Sequence, residues 1–384
     1  MEIKNLKKAA ERIEKAMSKK ERIILYGDGD LDGICSVIIL KEAIQSLGGE
    51  ISALYFPDRE KEGYGLTETA LKSLKKFAPA LLITMDLGIS NFKEMLLAKK
   101  LGFTVIIVDH HEVLDKLPKA YLTVDPKQPS DPYPFKGLAA CGVTFLLANE
   151  LLGKRMSPSL RGALVELAAL GTIADMMPQT DDNLLIIEEG VSRLFASWRP
   201  GIQALFEAVG IDQGNLRDRL GHAISVLNVR DIKDRLPGAY RLFTTSSLES
   251  ARDIAKELVE KNKVRQDTIY AIVNTIKQRI GISDSPVIFE GDPSFEYVLL
   301  GGAASILARE LDKPVFLYKK KRGESIGSVR APAGYNTVEA MKGFAKSLVA
   351  YGGHAPASGF RLKTKNLAKF KKYLATYFKM QIRK

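Results

Sequence analysis

Three apolar runs in this sequence end in acidic residues, and that pattern restricts both the fold and the chemistry. Phe103–Val108 (FTVIIV) leads into Asp109-His110-His111, Arg22–Gly27 (RIILYG) into Asp28-Gly29-Asp30-Leu31-Asp32-Gly33, and Ala80–Met85 (ALLITM) into Asp86-Leu87-Gly88. A continuous Val, Ile and Leu run suits a strand buried on both faces, as in a parallel sheet covered by helices. In such sheets ligand sites gather outside the carboxyl ends of the strands. Carboxylates crowded along one edge oppose folding through repulsion and desolvation unless cations neutralise them. A cluster of metal ions is the simplest remedy.

From residue 22 to about 175 the pattern alternates strand and helix. Further strands are expected at Ile51–Phe56 and Tyr121–Val124, with helices over Ile34–Leu47, Asn91–Leu101, 138–152 and 159–175 and shorter ones over 184–230. Next, Ser246 with Glu249 fits a capping box, and apolar positions 251, 254, 255, 258, 269, 272, 273, 276 and 280 keep helical spacing around the polar stretch KNKVRQD. That segment reads as a connecting helix. Beyond it, strands are expected at Val287–Phe289, Tyr297–Leu300, Pro314–Tyr318 and Glu324–Val329, with helices over 302–311 and 336–348. The fold class is therefore α/β with a mainly parallel sheet in a first domain (1–240), a helical linker (241–283) and a smaller α/β domain (284–384).

No run approaches the ~18 apolar residues that a membrane span requires, and the amino-terminal segment lacks the apolar core of a secretion signal, so a cytoplasmic protein with no membrane role is expected. The only cysteines, Cys35 and Cys141, lie in separate helical contexts. That excludes a disulfide framework and a thiolate metal site and makes both thiols small core residues. The net charge is +12, and residues 361–384 hold nine Lys or Arg and no acid. Leu367, Phe370, Leu374 and Tyr377 have helical spacing, so this tail reads as a docked helix with a basic outer side. Such asymmetry suits a polyanionic partner.

Alternate acids in Asp28-x-Asp30-x-Asp32-Gly33 can converge on one cation, although Asp28 or Asp30 alone would read as an ordinary helix cap. With Asp86 and the Asp-His-His triplet the donors become mixed carboxylate and imidazole, which suits Mn²⁺ or Mg²⁺ better than zinc. Two such ions can activate water and hold a phosphoryl oxygen, the two-metal mode of phosphoester hydrolysis.

In this order DGDLDG, MDLG, DHH and LGTIAD resemble the four motifs of the DHH phosphoesterase superfamily, and GGHAPASGF (352–360) is similar to the GGH motif of its accessory DHHA1 domain. Each motif alone is weak; five in order span nearly the whole chain. The resemblance implies that Asp30, Asp32, Asp86, His110 and Asp175 are metal ligands, with Asp86 bridging and Asp28 at a place where relatives carry Asp or His. It makes Asp109 the acid that orients a neighbouring imidazole and His111 the group that meets the scissile phosphate. Asp125 in VDP, also just after a strand, is a weaker candidate ligand, because the fourth motif matches Asp175 better.

Within the superfamily the chain most resembles the RecJ family of single-strand-specific 5′ to 3′ exonucleases, through DxDxDG, the stretch Leu170–Pro178, Asn228-Val229-Arg230 and Ser328-Val329-Arg330. That likeness implies that Arg230, Ser328, Arg330, Gly352, Gly353 and His354 face substrate phosphates; for the arginines an ordinary salt bridge is the alternative. Departures are the missing Trp-His pair in Leu299–Ala304, the reduced run His222–Ser225, and no room after the GGH segment for an oligonucleotide-binding barrel. The expected function is a compact RecJ-like phosphodiesterase using two Mn²⁺ or Mg²⁺ ions on single-stranded DNA, with RNA as a second substrate class. Repair or replication proteins are the expected partners. A phosphodiesterase of short oligoribonucleotides or cyclic dinucleotides and a non-catalytic replication scaffold are the alternatives, and the intact acids count against the scaffold.

Overall fold

The acid-ended runs become neighbouring strands. In the computed structural model, which describes residues 2–59, 61–113, 116–281, 284–353 and 355–381, α1 (Leu6–Ser18) precedes β1 (Arg22–Gly27), α2 (Leu31–Ser46), β2 (Ala53–Tyr55), α3 (Glu68–Leu74), β3 (Ala80–Met85), α4 (Phe92–Lys100), β4 (Phe103–Val108) and β5 (Leu122–Val124). The five strands pair in parallel in the order β2-β1-β3-β4-β5. Order reverses between β1 and β3, and the crevice at such a reversal is where doubly wound sheets bind ligands. Alternation along each strand feeds two cores. Ile23, Leu25, Leu81, Ile83, Ile106 and Val108 pack under α1, α2 and the following helices, while Ile24, Tyr26, Leu82, Val105 and Ile107 pack under α3 and α4.

Helices α5 (Ala140–Leu152), α6 (Pro158–Ala174), α7 (Asp181–Arg193), α8 (Pro200–Val209) and α9 (Leu216–Leu227) follow, then a short β6 (Ile232–Lys233) and β7 (Leu236–Pro237) hairpin and α10 (Gly238–Thr244). Cys35 and Cys141 are buried in the first core. The 33-residue α11 (Leu248–Ile280) begins one residue away from the expected cap: Ser247, not Ser246, accepts from Ser250 N at 3.2 Å. Ala251, Ala255 and Leu258 of α11 belong to the first core, and Ile269, Ile272, Val273 and Ile276 to another. The chain accordingly divides into units Met1–Lys261 and Asn262–Lys384.

In the second unit β8 (Ile288–Asp292), α12 (Tyr297–Leu311), β9 (Val315–Lys319), β10 (Glu324–Arg330), α13 (Thr337–Lys342), β11 (Leu348–Gly353), β12 (Ala357–Lys363) and α14 (Leu367–Gln381) form a sheet of order β11-β12-β10-β9-β8 with helices on both faces. Only the β8–β9 pair is parallel. Two expectations fail here. Tyr297–Leu300 is the first turn of α12 and not a strand, because Leu299, Leu300, Ala303, Ala304 and Leu307 are buried at helical spacing once the run is read through. Four apolar residues do not distinguish the two periods. The helix expected over 336–348 ends at Lys342, and Leu348 already starts β11. Gly343 is its C-cap, where a side chain would strike Tyr373 Oη. The basic tail docks as expected, burying Leu367, Phe370, Leu374 and Phe378, with Tyr377 only half-buried. Among the described residues no helix is long and apolar enough to cross a membrane.

Candidate active site

The carboxyl edge of the parallel sheet carries the site. At the end of β1, Asp30 caps α2, its Oδ1 accepting from Gly33 N at 3.2 Å, so the capping alternative is realised and Oδ2 remains for another partner. Gly33 is required there, since a Cβ would meet the Asp28 backbone at 2.5 Å. Asp32, in the first turn of α2, is buried and accepts from Ala140 N (2.8 Å) and Cys141 N (2.7 Å) at the start of α5. At the end of β3, Asp86 is buried with a positive φ of 62°, a conformation that non-glycine residues adopt at some strain.

His110, at the end of β4, is the hub. Its Nε2 lies 3.3 Å from Asp86 Oδ1, 3.5 Å from Asp175 Oδ2 and 3.8 Å from Asp32 Oδ2. Asp175 arrives from the last turn of α6, and its Oδ2 is buried without a hydrogen-bond partner. Three donor groups fall within 4.8 Å: Asp86, His110 and His111; Asp32, His110 and Asp175; Asp28, Asp30 and Asp86. Asp86 belongs to two of them, which suits a bridging carboxylate.

Burial and crowding unsettle these acids. Desolvation, with the charges of Asp30 and Asp32, pushes the Asp86 carboxyl far above its usual range. Burial likewise raises Asp175 to about 8 and Asp32 to about 6, reinforced by neighbouring carboxylates. Asp109 behaves oppositely. Although it is fully buried, the His111 ring and backbone amides hold it at about 2: Oδ2 accepts from Ile89 N at 3.0 Å and Oδ1 from His110 N at 2.8 Å. Asp109 Oδ1 also lies 2.7 Å from His111 Nδ1, and that carboxylate lifts His111 to about 9 against the desolvation of its ring.

The second unit presents a different surface. Strand register aligns Ser328 with Gly359 and Gly359 with Gly352, so a row of the sheet beside Ser328 is bare backbone. Arg330, two residues on and facing the same way, donates to Ser328 Oγ at 3.3 Å and to Val329 O at 2.8 Å. Its pKa is lowered by burial, and it meets no carboxylate among the described residues. Gly301 of α12 lies against it, where a Cβ would come 3.1 Å from the guanidinium. Gly353 ends β11 at φ 125°; His354 lies outside the described residues.

Residues 22–172 match the model of the DHH family, N-terminal domain, and residues 284–380 that of the DHHA1 domain. A solved structure of the exonuclease RecJ bound to manganese is 30% identical, covers 98% of this chain and 95% of its own, and superposes with a TM-score of 0.78. The chain belongs to the DHH family. Among its RecJ relatives, the single-stranded-DNA-specific exonuclease of Bacillus subtilis is 36% identical over 374 residues, 95% of this chain and 47% of that protein. RecJ of Thermus thermophilus in complex with Mn²⁺ superposes with a TM-score of 0.84 at 28% identity, over 99% of this chain and 55% of that one. The chain thus spans about half the length of these two relatives.

Several site residues of this DHH-family chain escaped the sequence reading. Arg59 reaches between the acids, with Nε 2.8 Å from Asp28 Oδ1 and an Nη 2.8 Å from Asp30 Oδ2, and despite burial it holds Asp30 at about 2. Asp58, beside it, pairs with Arg230 at 2.7 Å, so the salt-bridge alternative for Arg230 is present. Asn228 Oδ1 accepts from Leu31 N at 3.2 Å and ties the end of α9 to the first motif. Asp125 is in none of the donor groups; its Oδ1 accepts from Lys127 N at 2.7 Å, and burial raises it to about 8. The donors fit hard divalent cations: carboxylates and imidazole converge without a thiolate, and Asp175 Oδ2 awaits a partner.

Proposed function

We propose that this chain is a metal-dependent phosphodiesterase of the RecJ kind, which hydrolyses single-stranded DNA from its 5′ end and takes RNA as a second substrate. The observation that carries the reading is the convergence of Asp32, Asp86 and Asp175 on His110 Nε2, beside the Asp28 and Asp30 pair. In this reading Asp28, Asp30 and Asp86 hold one ion and Asp32, His110, Asp175 and Asp86 the other. Bound Mn²⁺ or Mg²⁺ would supply a low-pKa water and neutralise charge on the phosphoryl group.

The chain's own groups do the rest. Asp109 fixes the His111 ring through Nδ1–H, and in the metal-free protein its carboxylate raises the ring to about 9, which favours the protonated form. Its Nε2–H is then the donor for a phosphate oxygen, or for the departing one. Arg330 and Ser328 form the phosphate clamp of the second unit, with Gly352 and Gly353 giving close backbone approach, and Arg230 and His354 complete the assigned set. For base stacking Tyr64 exposes its ring and lies 5.1 Å from the Arg59 guanidinium, whereas Phe56 is buried and Tyr335 half-buried. Repair or replication proteins remain the proposed partners.

Labelled single-stranded DNA, RNA, duplex DNA, dinucleotides and cyclic dinucleotides, incubated with Mn²⁺ or Mg²⁺, test the reading. Mononucleotides released from the 5′ end of single-stranded DNA are expected. Cleavage of dinucleotides alone would replace it with the short-oligonucleotide reading.

A further inference from the structure

The turn between β9 and β10 is Lys319-Lys320-Lys321-Arg322-Gly323, a run that the motifs above leave unused. It is not a loose loop. Thr364 donates its N–H to Gly323 O at 2.9 Å and its hydroxyl to Lys321 O at 2.7 Å, and Ser325 Oγ lies 2.9 Å from the same hydroxyl. Those bonds clamp the turn onto the end of β12, where Lys363 pairs in register with Glu324 and Lys365 follows. Six cations, Lys319, Lys320, Lys321, Arg322, Lys363 and Lys365, thereby meet at one end of the sheet.

The local acids do not neutralise them. Asp292, aligned with Lys319, is paired with Arg279 at 2.5 Å, and Glu324 with Arg361 at 3.1 Å. None of the six is in an ion pair among the described residues. Like charges held together by backbone hydrogen bonds repel one another, and a bound polyanion would relieve that repulsion. The patch also lies apart from the phosphate clamp: β10 runs from Glu324 here to Arg330 there, about 20 Å at strand rise.

We infer that this end of the second unit is an accessory surface for the backbone of single-stranded nucleic acid, gripping phosphates remote from the cleaved end. The inference rests on the nuclease reading above. Composition favours this occupant over a protein partner, because protein interfaces are depleted of lysine and rich in aromatic anchors, and the six residues include none. The surface joins the β9–β10 turn to the basic tail, to which Lys363 and Lys365 belong.

The test is a full-chain variant, K320Q/K321Q/R322Q, beside a control with the same loss of three positive charges on α4, K93Q/K99Q/K100Q. Fluorescence anisotropy in Mn²⁺ follows phosphorothioate strands of about 4 and about 20 nucleotides across salt concentrations. The patch variant is expected to bind the long strand at least about 10-fold more weakly at ~0.1 M salt, with a log–log salt slope shallower by about 2 to 3, and the short strand unchanged. The control is expected to match the wild type. Equal losses in patch variant and control, or an unchanged slope, would overturn the accessory surface; a wild type that binds neither strand would instead sink the nuclease reading. Matching melting curves exclude misfolding as the cause.

Discussion

The first unit gathers acids at its strand ends, and the second gathers unneutralised cations. In the first, Asp86 and Asp175 sit so close to their neighbours that burial and repulsion push both carboxyls above their ordinary range, and Arg59 balances only the Asp28 and Asp30 corner. In the second, Arg330 is half-buried with no carboxylate beside it among the described residues, and the β9–β10 turn adds a further surplus. One surface wants cations and the other anions. In the proposed function a phosphodiester with divalent metals answers both demands, and neither surface alone would distinguish a metal store from a phosphate sensor.

Removing the shared acid should break the first side of the comparison. Asp86→Asn is expected to lower single-strand hydrolysis by at least about a thousandfold and to abolish the tight Mn²⁺ heat in calorimetry, since both proposed sites use this residue. Stability of the metal-free protein should move the other way. A carboxyl whose folded pKa is raised contributes stability below its unfolded pKa and loses it as pH rises through the folded value. The variant should therefore gain on the wild type in melting temperature as pH rises above the ordinary carboxyl range, about 4. Retained Mn²⁺ affinity would refute the bridging role of Asp86.

Arg330→Ala breaks the other side. A charge-assisted hydrogen bond to phosphate contributes about 2 kcal/mol, so kcat/KM on single-stranded DNA should fall roughly thirtyfold while Mn²⁺ affinity stays the same. Arg330→Lys should recover only part, because lysine offers a point charge in place of a fork. A loss of Mn²⁺ affinity in Arg330→Ala would mean that the two surfaces are not independent.

How much of each surface the sequence disclosed follows from how its residues are assembled. Asp28, Asp30, Asp32, Asp86, Asp109 and His110 follow directly on strands, and a parallel sheet brings strand ends together whatever the intervening loops do. The 2-1-3-4-5 order needed only that β1, β3 and β4 be adjacent. Arg59 stands in a polar loop with no periodicity, and its partners are set by the path of the chain after β2. The glycine row at Gly352 and Gly359 depends on antiparallel register, which a reading that took 336–348 for a helix could not supply. The cationic turn escaped for the same reason: its meeting with Lys363 and Lys365 is a tertiary contact.

Arg59 is where the two chemistries overlap, a guanidinium lodged among acids assigned to a metal. As an internal counter-ion it competes with the cation for Asp28 and Asp30, whereas among the described residues no Lys or Arg is in an ion pair with Asp32 or Asp175. The Arg59 side chain is 30% exposed and that of Asp28 10%, so solvent screens these pairs only in part. Arg59→Gln is expected to tighten the weaker Mn²⁺ site by about three- to tenfold in calorimetry and to leave the stronger one alone. The metal-free variant should melt earlier, because Asp28 and Asp30 lose their counter-ion, and the gap should close as Mn²⁺ is added. Unchanged or weaker Mn²⁺ binding would show that Arg59 supports the acids and does not compete for them, and the division between an acid surface and a cation surface would then have to be redrawn around this loop.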